Sequence, residues 1–150
     1  MRSIIRISGL IFLLNCFTFV SHAQLRKIPA TVTSAFKSQY PDADSVEWKD
    51  RITGYSASFI KDEVSHTAYY DNNGNWESTD ILIDFDDLPE VIADSHSKTK
   101  YADWEVGAVH KIELPDDVLN YRIQVIKSDI KKKNLYFNEK GRLLKEKISL

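Results

Sequence analysis

The sequence predicts an α+β fold of two tandem units, each a helix laid on an antiparallel sheet, with one continuous sheet and both helices on one face. Three observations predict it. An Xaa-Pro helix entry occurs twice, at Ile28-Pro29 and Leu88-Pro89. A glycine turn containing asparagine closes each round, at Asp71-Asn72-Asn73-Gly74 and Asn138-Glu139-Lys140-Gly141. Between entry and turn, both rounds carry runs in which apolar and polar residues alternate. A helix with one apolar stripe and strands with one apolar face must cover each other, which gives a layered unit.

In the first round Ile28, Val32, Ala35, Phe36 and Tyr40 fall at helical spacing along a segment that Pro29 can start and Pro41 must stop. A helix is expected from Pro29 to Tyr40. Ser45 to Lys49 reads as a short strand, and Tyr55, Ala57 and Phe59 alternate with Ser56 and Ser58 in the period of a half-buried strand. Ala68 and Tyr70 oppose Thr67 and Tyr69 in a third run. Asn73-Gly74 then supplies the positive-φ residues of a tight turn into a fourth run, from Trp76 to about Phe85.

The second round repeats this order. Leu88 and Ile92 match Ile28 and Val32, but His96 stands where Phe36 does, so the second helix should be shorter or looser. Tyr101 corresponds to Tyr40, and Val106 to Glu113 takes the place of the short first strand. Tyr121, Ile123 and Val125 match Tyr55, Ala57 and Phe59, while Leu135, Phe137 and Leu143 match Ala68, Tyr70 and Trp76. Lys131-Lys132-Lys133 is expected in a solvated hairpin loop. Asp84 to Asp87 joins the rounds and is too short for a tether, so residues 24–85 and 86–150 form two repeats sharing one sheet.

Residues 1–23 read as a secretory signal: Arg2 and Arg6 give the positive start, Leu10 to Val20 the apolar run, and Ser21-His22-Ala23 the cleavage site. The run is shorter than the ~20 apolar residues of a spanning helix. Two alternatives are a retained anchor and a lipoprotein lipidated at Cys16; Asn15 interrupts the run and is bulky where lipidation wants a small residue. Cleavage after Ala23 leaves 127 of the 150 residues and removes the lone cysteine, so the core alone must hold the fold. A chain of this size buries about two-thirds of its unfolded surface, which suffices. Losing Arg2 and Arg6 lowers the basic count from 20 to 18 against 22 acidic residues, a formal charge of −4. Nucleic acid and anionic membranes, which need a concentrated basic face, are therefore excluded as main partners, and a periplasmic or secreted location is expected.

Chemistry is sparse. Asp71, Asn73 and Asn75 have the spacing that begins a calcium loop, but glycine sits at the fourth position and Leu82 replaces the bidentate glutamate. His66, His96 and His110 are scattered and lack a cysteine beside them, so no zinc site is expected. No Gly-x-Ser-x-Gly elbow and no glycine-rich phosphate loop occur. Asp84, Asp86, Asp87 and Glu90 cluster where a helix begins, which suits the helix dipole. No catalytic, metal-binding or cofactor-binding residue is expected. If the helices cover the Tyr55 and Tyr121 face, then Ser56, Ser58, Thr67, Tyr69, Arg122, Gln124 and Tyr136 point outward from the other. These seven form the candidate partner-binding face, the alternative being a plain solvated sheet surface. Tyr69 and Tyr136 are its best contact residues, because tyrosine dominates interface hot spots. Trp76 is assigned to packing.

The order Ile-Pro, striped helix, Tyr-Pro, Val46-Glu47-Trp48, Tyr-x-Ala-x-Phe, Asp-Asn-Asn-Gly-Asn-Trp, Leu-Pro and a second round resembles the PepSY-like, beta-lactamase-inhibitor-protein-like family exported by Gram-negative bacteria. The resemblance spans nearly all of the mature chain; His96 and the long Ala102 to Glu113 stretch depart from it. It implies two helix-plus-four-strand units, a sheet with a concave open face, and a non-catalytic periplasmic or secreted role. In beta-lactamase inhibitors of this fold the open face grips the enzyme, and the wider PepSY grouping is associated with peptidase inhibition. The function so implied is a non-enzymatic extracytoplasmic binding module, an inhibitor or modulator of an exported enzyme such as a peptidase, with an exported protein as partner. A structural or assembly role in the envelope is the alternative, and a hydrolase without a local motif a third.

Overall fold

The structure, a computed structural model, describes residues 27–149. The signal segment, its cleavage site and Cys16 lie outside the described residues. Helix α1 spans Ala30–Gln39 and is followed by β1 (Asp44–Arg51), β2 (Gly54–Lys61), β3 (Val64–Asp71) and β4 (Trp76–Ile83). One 3-10 turn, Phe85–Asp87, leads to α2 (Glu90–Ser97), then β5 (Glu105–Glu113), β6 (Leu119–Ser128), β7 (Lys131–Asn138) and β8 (Leu143–Ser149). The strands form one eight-stranded sheet in sequence order. Every neighbouring pair is antiparallel, and β4 pairs with β5, so the sheet runs unbroken from one round into the next. No helix among the described residues is long and apolar enough to cross a membrane.

Both helices lie on the same sheet face, because the apolar phase of the strands is the same in the two rounds. In the first, Val32 and Phe36 pack on Tyr55, Ala57, Phe59, Ala68 and Tyr70. Ala57 and Ala68 are cross-strand partners, and their small side chains leave room for α1 above them. The Phe36 ring meets Phe59 and Trp48 edge-on at 5.1 and 5.3 Å between centroids, a favourable quadrupole arrangement. In the second, Ile92 packs on Tyr121, Ile123, Val125, Leu135 and Phe137, with Leu88 and Tyr101 closing the ends.

The closing turns are built alike. Asp71 Oδ1 accepts the backbone N–H groups of Asn73 and Asn75, both at 2.8 Å. Asn138 Oδ1 accepts those of Lys140 and Arg142 at 3.1 and 2.9 Å. Gly74 and Gly141 have φ of 91° and 80°, and each lies against the backbone of the helix two residues after its proline. A Cβ on Gly74 would stand 3.1 Å from the Thr31 carbonyl, and one on Gly141 2.8 Å from that of Val91. Glycine is thus needed twice for one reason, a left-handed turn pressed on a helix.

Two expectations need correction. Lys131-Lys132-Lys133 is not a loop but the start of β7; Asp129 and Ile130 make the turn instead. The stems of these lysines tolerate the strand, and the Lys133 amine reaches Glu146 at 3.3 Å and the Tyr101 ring at 5.2 Å. The fourth run ends at Ile83, before Phe85, because the chain turns there into the 3-10 segment.

The second helix is the shorter one, with 8 residues against 10. His96 takes Phe36's place in the core at 4 % exposure, edge-on to Phe85, and its Nε2 has no hydrogen-bond partner among the described residues. Burial pulls its pKa below the ordinary histidine value. The unfolded chain therefore binds this proton more readily than the native one. The stability tied to neutral His96 is present above the unfolded pKa of ~6.5 and is lost as pH falls below it. His96→Phe should stabilise the protein by about 1 kcal/mol, by removing an unsatisfied buried nitrogen, and should flatten its acid sensitivity. Urea midpoints at about pH 7.5 and 5.5 measure both. An equal loss in variant and wild type would refute this role for His96.

Candidate binding face

The face away from the helices is set by strand phase. Arg51 from β1, Tyr69 from β3, Asp80 from β4, Ile112 from β5, Arg122 from β6, Tyr136 from β7 and Lys145 and Lys147 from β8 line one hollow of about 390 Å³. Strands spaced ~4.8 Å apart would set the edges of a flat eight-stranded sheet more than ~30 Å apart. Side chains from both edge strands nevertheless line this hollow, so the sheet curls around it.

A row of cations and aromatic rings crosses the hollow. Arg51 pairs in register with Gly54, which has no side chain to obstruct it, and its guanidinium lies 4.7 Å from the Tyr69 ring centroid. Arg51 Nη1 is 3.6 Å from Glu77 Oε2 and makes no hydrogen bond among the described residues, although that atom is shielded from solvent. At the centre Arg122 Nη1 donates to Asp80 Oδ2 at 2.7 Å, and the Tyr69 hydroxyl donates to the same oxygen at 3.4 Å. The Asp80 side chain is 7 % exposed and that of Arg122 20 %, so this ion pair forms the floor. Burial, and next the charge of Asp80, raise the Tyr69 pKa, which keeps the phenol a donor. Arg122 also bonds its register partner Tyr136, and Lys145 Nζ sits 4.6 Å from the Tyr136 ring centroid.

Of the seven residues proposed from sequence, Tyr69, Arg122 and Tyr136 meet in this hollow. The other four do not. Ser56 is buried, at 6 % exposure, in register between the larger residues Lys49 and Tyr69 of its two neighbouring strands. It shares the face but offers little surface. Ser58 and Thr67 bond each other through their hydroxyls at 3.2 Å, and Gln124 donates to Ser149 Oγ at 2.9 Å near the β8 edge. Sequence reasoning missed Arg51, Asp80, Lys145 and Lys147. The Lys145-x-Lys147 alternation was a usable signal, since both side chains of such a pair must share a face.

The histidines stay apart. His66 Nδ1 bonds the Val64 carbonyl at 2.9 Å and its ring stacks on Phe59, while His96 is in the second core. His110 pairs with Arg122 on the open face, and burial followed by the Arg122 charge lowers its pKa. Among the described residues no three His, Cys, Asp or Glu side chains are grouped to hold a metal. Asp71 is engaged by its own turn, whose hydrogen bonds, led by that from Asn75, hold its carboxyl below the usual range.

What this geometry offers is a curved, polar and aromatic surface. A family model described as "Putative beta-lactamase-inhibitor-like, PepSY-like" matches residues 20–64 and 53–145. The chain belongs to this PepSY-like family. Solved structures share the fold of this PepSY-like chain. A BLIP-like protein from Bacteroides fragilis is 27% identical over 82% of this chain and 87% of its own, with a TM-score of 0.71. A DUF2874 family protein from Bacteroides ovatus is 26% identical over 82% and 89%, with a TM-score of 0.74. A third, from Bacteroides eggerthii and described among "putative periplasmic proteins", is 22% identical over 82% and 90%, with a TM-score of 0.75. No curated protein matches the chain.

Proposed function

We propose that this chain is a non-enzymatic, extracytoplasmic protein-binding module that grips an exported protein with its open sheet face, as an inhibitor or modulator of an exported enzyme such as a peptidase. The observation that carries this reading is the hollow itself: a PepSY-like sheet, covered by helices on one side, curls its other side around a row of tyrosines and cations. Tyrosine and arginine are the side chains that anchor interfaces, because they bury large area with few rotatable bonds and keep a polar end. The export reading rests on residues 1–23 and is supported by the description of the Bacteroides eggerthii relative. The two rounds, residues 24–85 and 86–150, act together here, since the hollow draws side chains from both.

The test is capture from the native envelope fraction with residues 24–150 as bait. One partner should be retained in a discrete one-to-one complex. Its affinity should fall at least ~10-fold for Tyr69→Ala/Tyr136→Ala, each ring being worth about 1–2 kcal/mol, while the circular dichroism of the variant stays native. Undiminished binding by the folded double variant would remove the open face from the site.

A further inference from the structure

We propose that the hollow is a carboxylate receptor, so that the partner enters it with an Asp or Glu side chain on an exposed loop, seated between Arg51 and the Lys145–Lys147 pair above Arg122. This deepens the binding reading above and rests on it. Arg51, Arg122, Lys145 and Lys147 face only Glu77 and Asp80 in the lining, an excess of cations on a chain whose net charge is −2.

These charges are not equally satisfied within the protein. Asp80 is spent on Arg122 and lies below the surface. Glu77 comes no closer than 3.6 Å to Arg51 and leaves the shielded Nη1 without an acceptor. Neither Lys145 nor Lys147 makes an ion pair among the described residues; Lys145 leans on the Tyr136 ring instead. Three cationic heads thus surround one polar hollow with acceptor capacity missing, and a carboxylate is a small anion with two acceptor oxygens that a guanidinium can clasp. Tyr69 and Tyr136 flank the place it would take and would cover the stem of the acidic side chain. A polyanion such as nucleic acid or an anionic bilayer is disfavoured, because outside this hollow the chain is acidic and would repel it.

The probe is an acetylated, amidated Glu-rich pentapeptide, titrated into 15N-labelled residues 24–150 at low salt beside its Gln isostere and inorganic phosphate. The Glu peptide should move amides around Arg51, Arg122 and Lys145 and bind at least ~10-fold more tightly than the Gln peptide. Binding should weaken as salt shortens the screening length. Lys145→Glu/Lys147→Glu, which breaks no ion pair among the described residues, should abolish it and leave the rest of the spectrum in place. Equal binding of the Gln peptide in the hollow would overturn the acidic class and leave the docking face intact. Preference for phosphate, shifts elsewhere, indifference to the double variant, or no binding of either peptide would also overturn it. The loss of a captured partner in Tyr69→Ala/Tyr136→Ala is read separately, so failure here is distinct from failure of the face.

Discussion

Asp80→Ala should destabilise the protein by about 3 kcal/mol, the lower part of the range for stranding one member of a buried ion pair. Arg122 would remain in the floor with its charge uncompensated, since Nη1 has its 2.7 Å partner in Asp80 Oδ2 and the side chain is only 20 % exposed. Tyr136 would still accept from it and some solvent would reach it, which keeps the loss near the low end. Removing both partners should cost less than removing Asp80 alone, because it is the orphaned charge and not the missing contact that carries the penalty. Urea unfolding of Asp80→Ala beside Asp80→Ala/Arg122→Ala measures this. A double variant less stable than the single one would show that the pair contributes net attraction beyond compensation.

Gly54→Ala should be at least as damaging, by more than about 3 kcal/mol and on the order of 10 °C in Tm. Gly54 opens β2 with φ of 157°, between Arg51 on one side and Asp71 on the other. A Cβ there would lie far inside van der Waals contact with the carbonyl oxygen of Tyr70, and that oxygen is backbone in a paired strand that cannot swing away. The β1–β2 turn would have to lift from β3. Arg51 would leave the Tyr69 ring with it, so any residually folded protein should also lose binding in the hollow. Calorimetry of Gly54→Ala checks the first effect, and wild-type-like melting would contradict the close approach.

Much of this architecture can be read from the residues because the apolar phase is strong where it matters. Tyr55, Ala57 and Phe59 in β2 and Tyr121, Ile123 and Val125 in β6 keep a period of two, so the covered and open faces follow from them alone. In β4 that rule is silent. Thr79 occupies the core side at 0 % exposure, held by the Tyr40 hydroxyl at 2.6 Å and Trp76 Nε1 at 2.9 Å, and a polar core residue conceals which side Asp80 is on. A register shift at Tyr69/Tyr70 opposite the start of this strand obscures the phase further. Tyr69 and Tyr136 were legible as outward residues. That they meet Arg51 and Lys145 was not, because the curl of the sheet is a property of all eight strands and no local spacing encodes it.

Recognition is proposed to happen on the open face and not on the helix side. Photocrosslinking in living cells measures it directly, with a photoreactive residue placed at Tyr69 or Tyr136 and, as the control, at exposed Lys37 on α1 or Glu90 on α2. A single discrete adduct from the two sheet positions, absent from the two helix positions, is the predicted result. An adduct formed from the helix positions and missing from the sheet would contradict it.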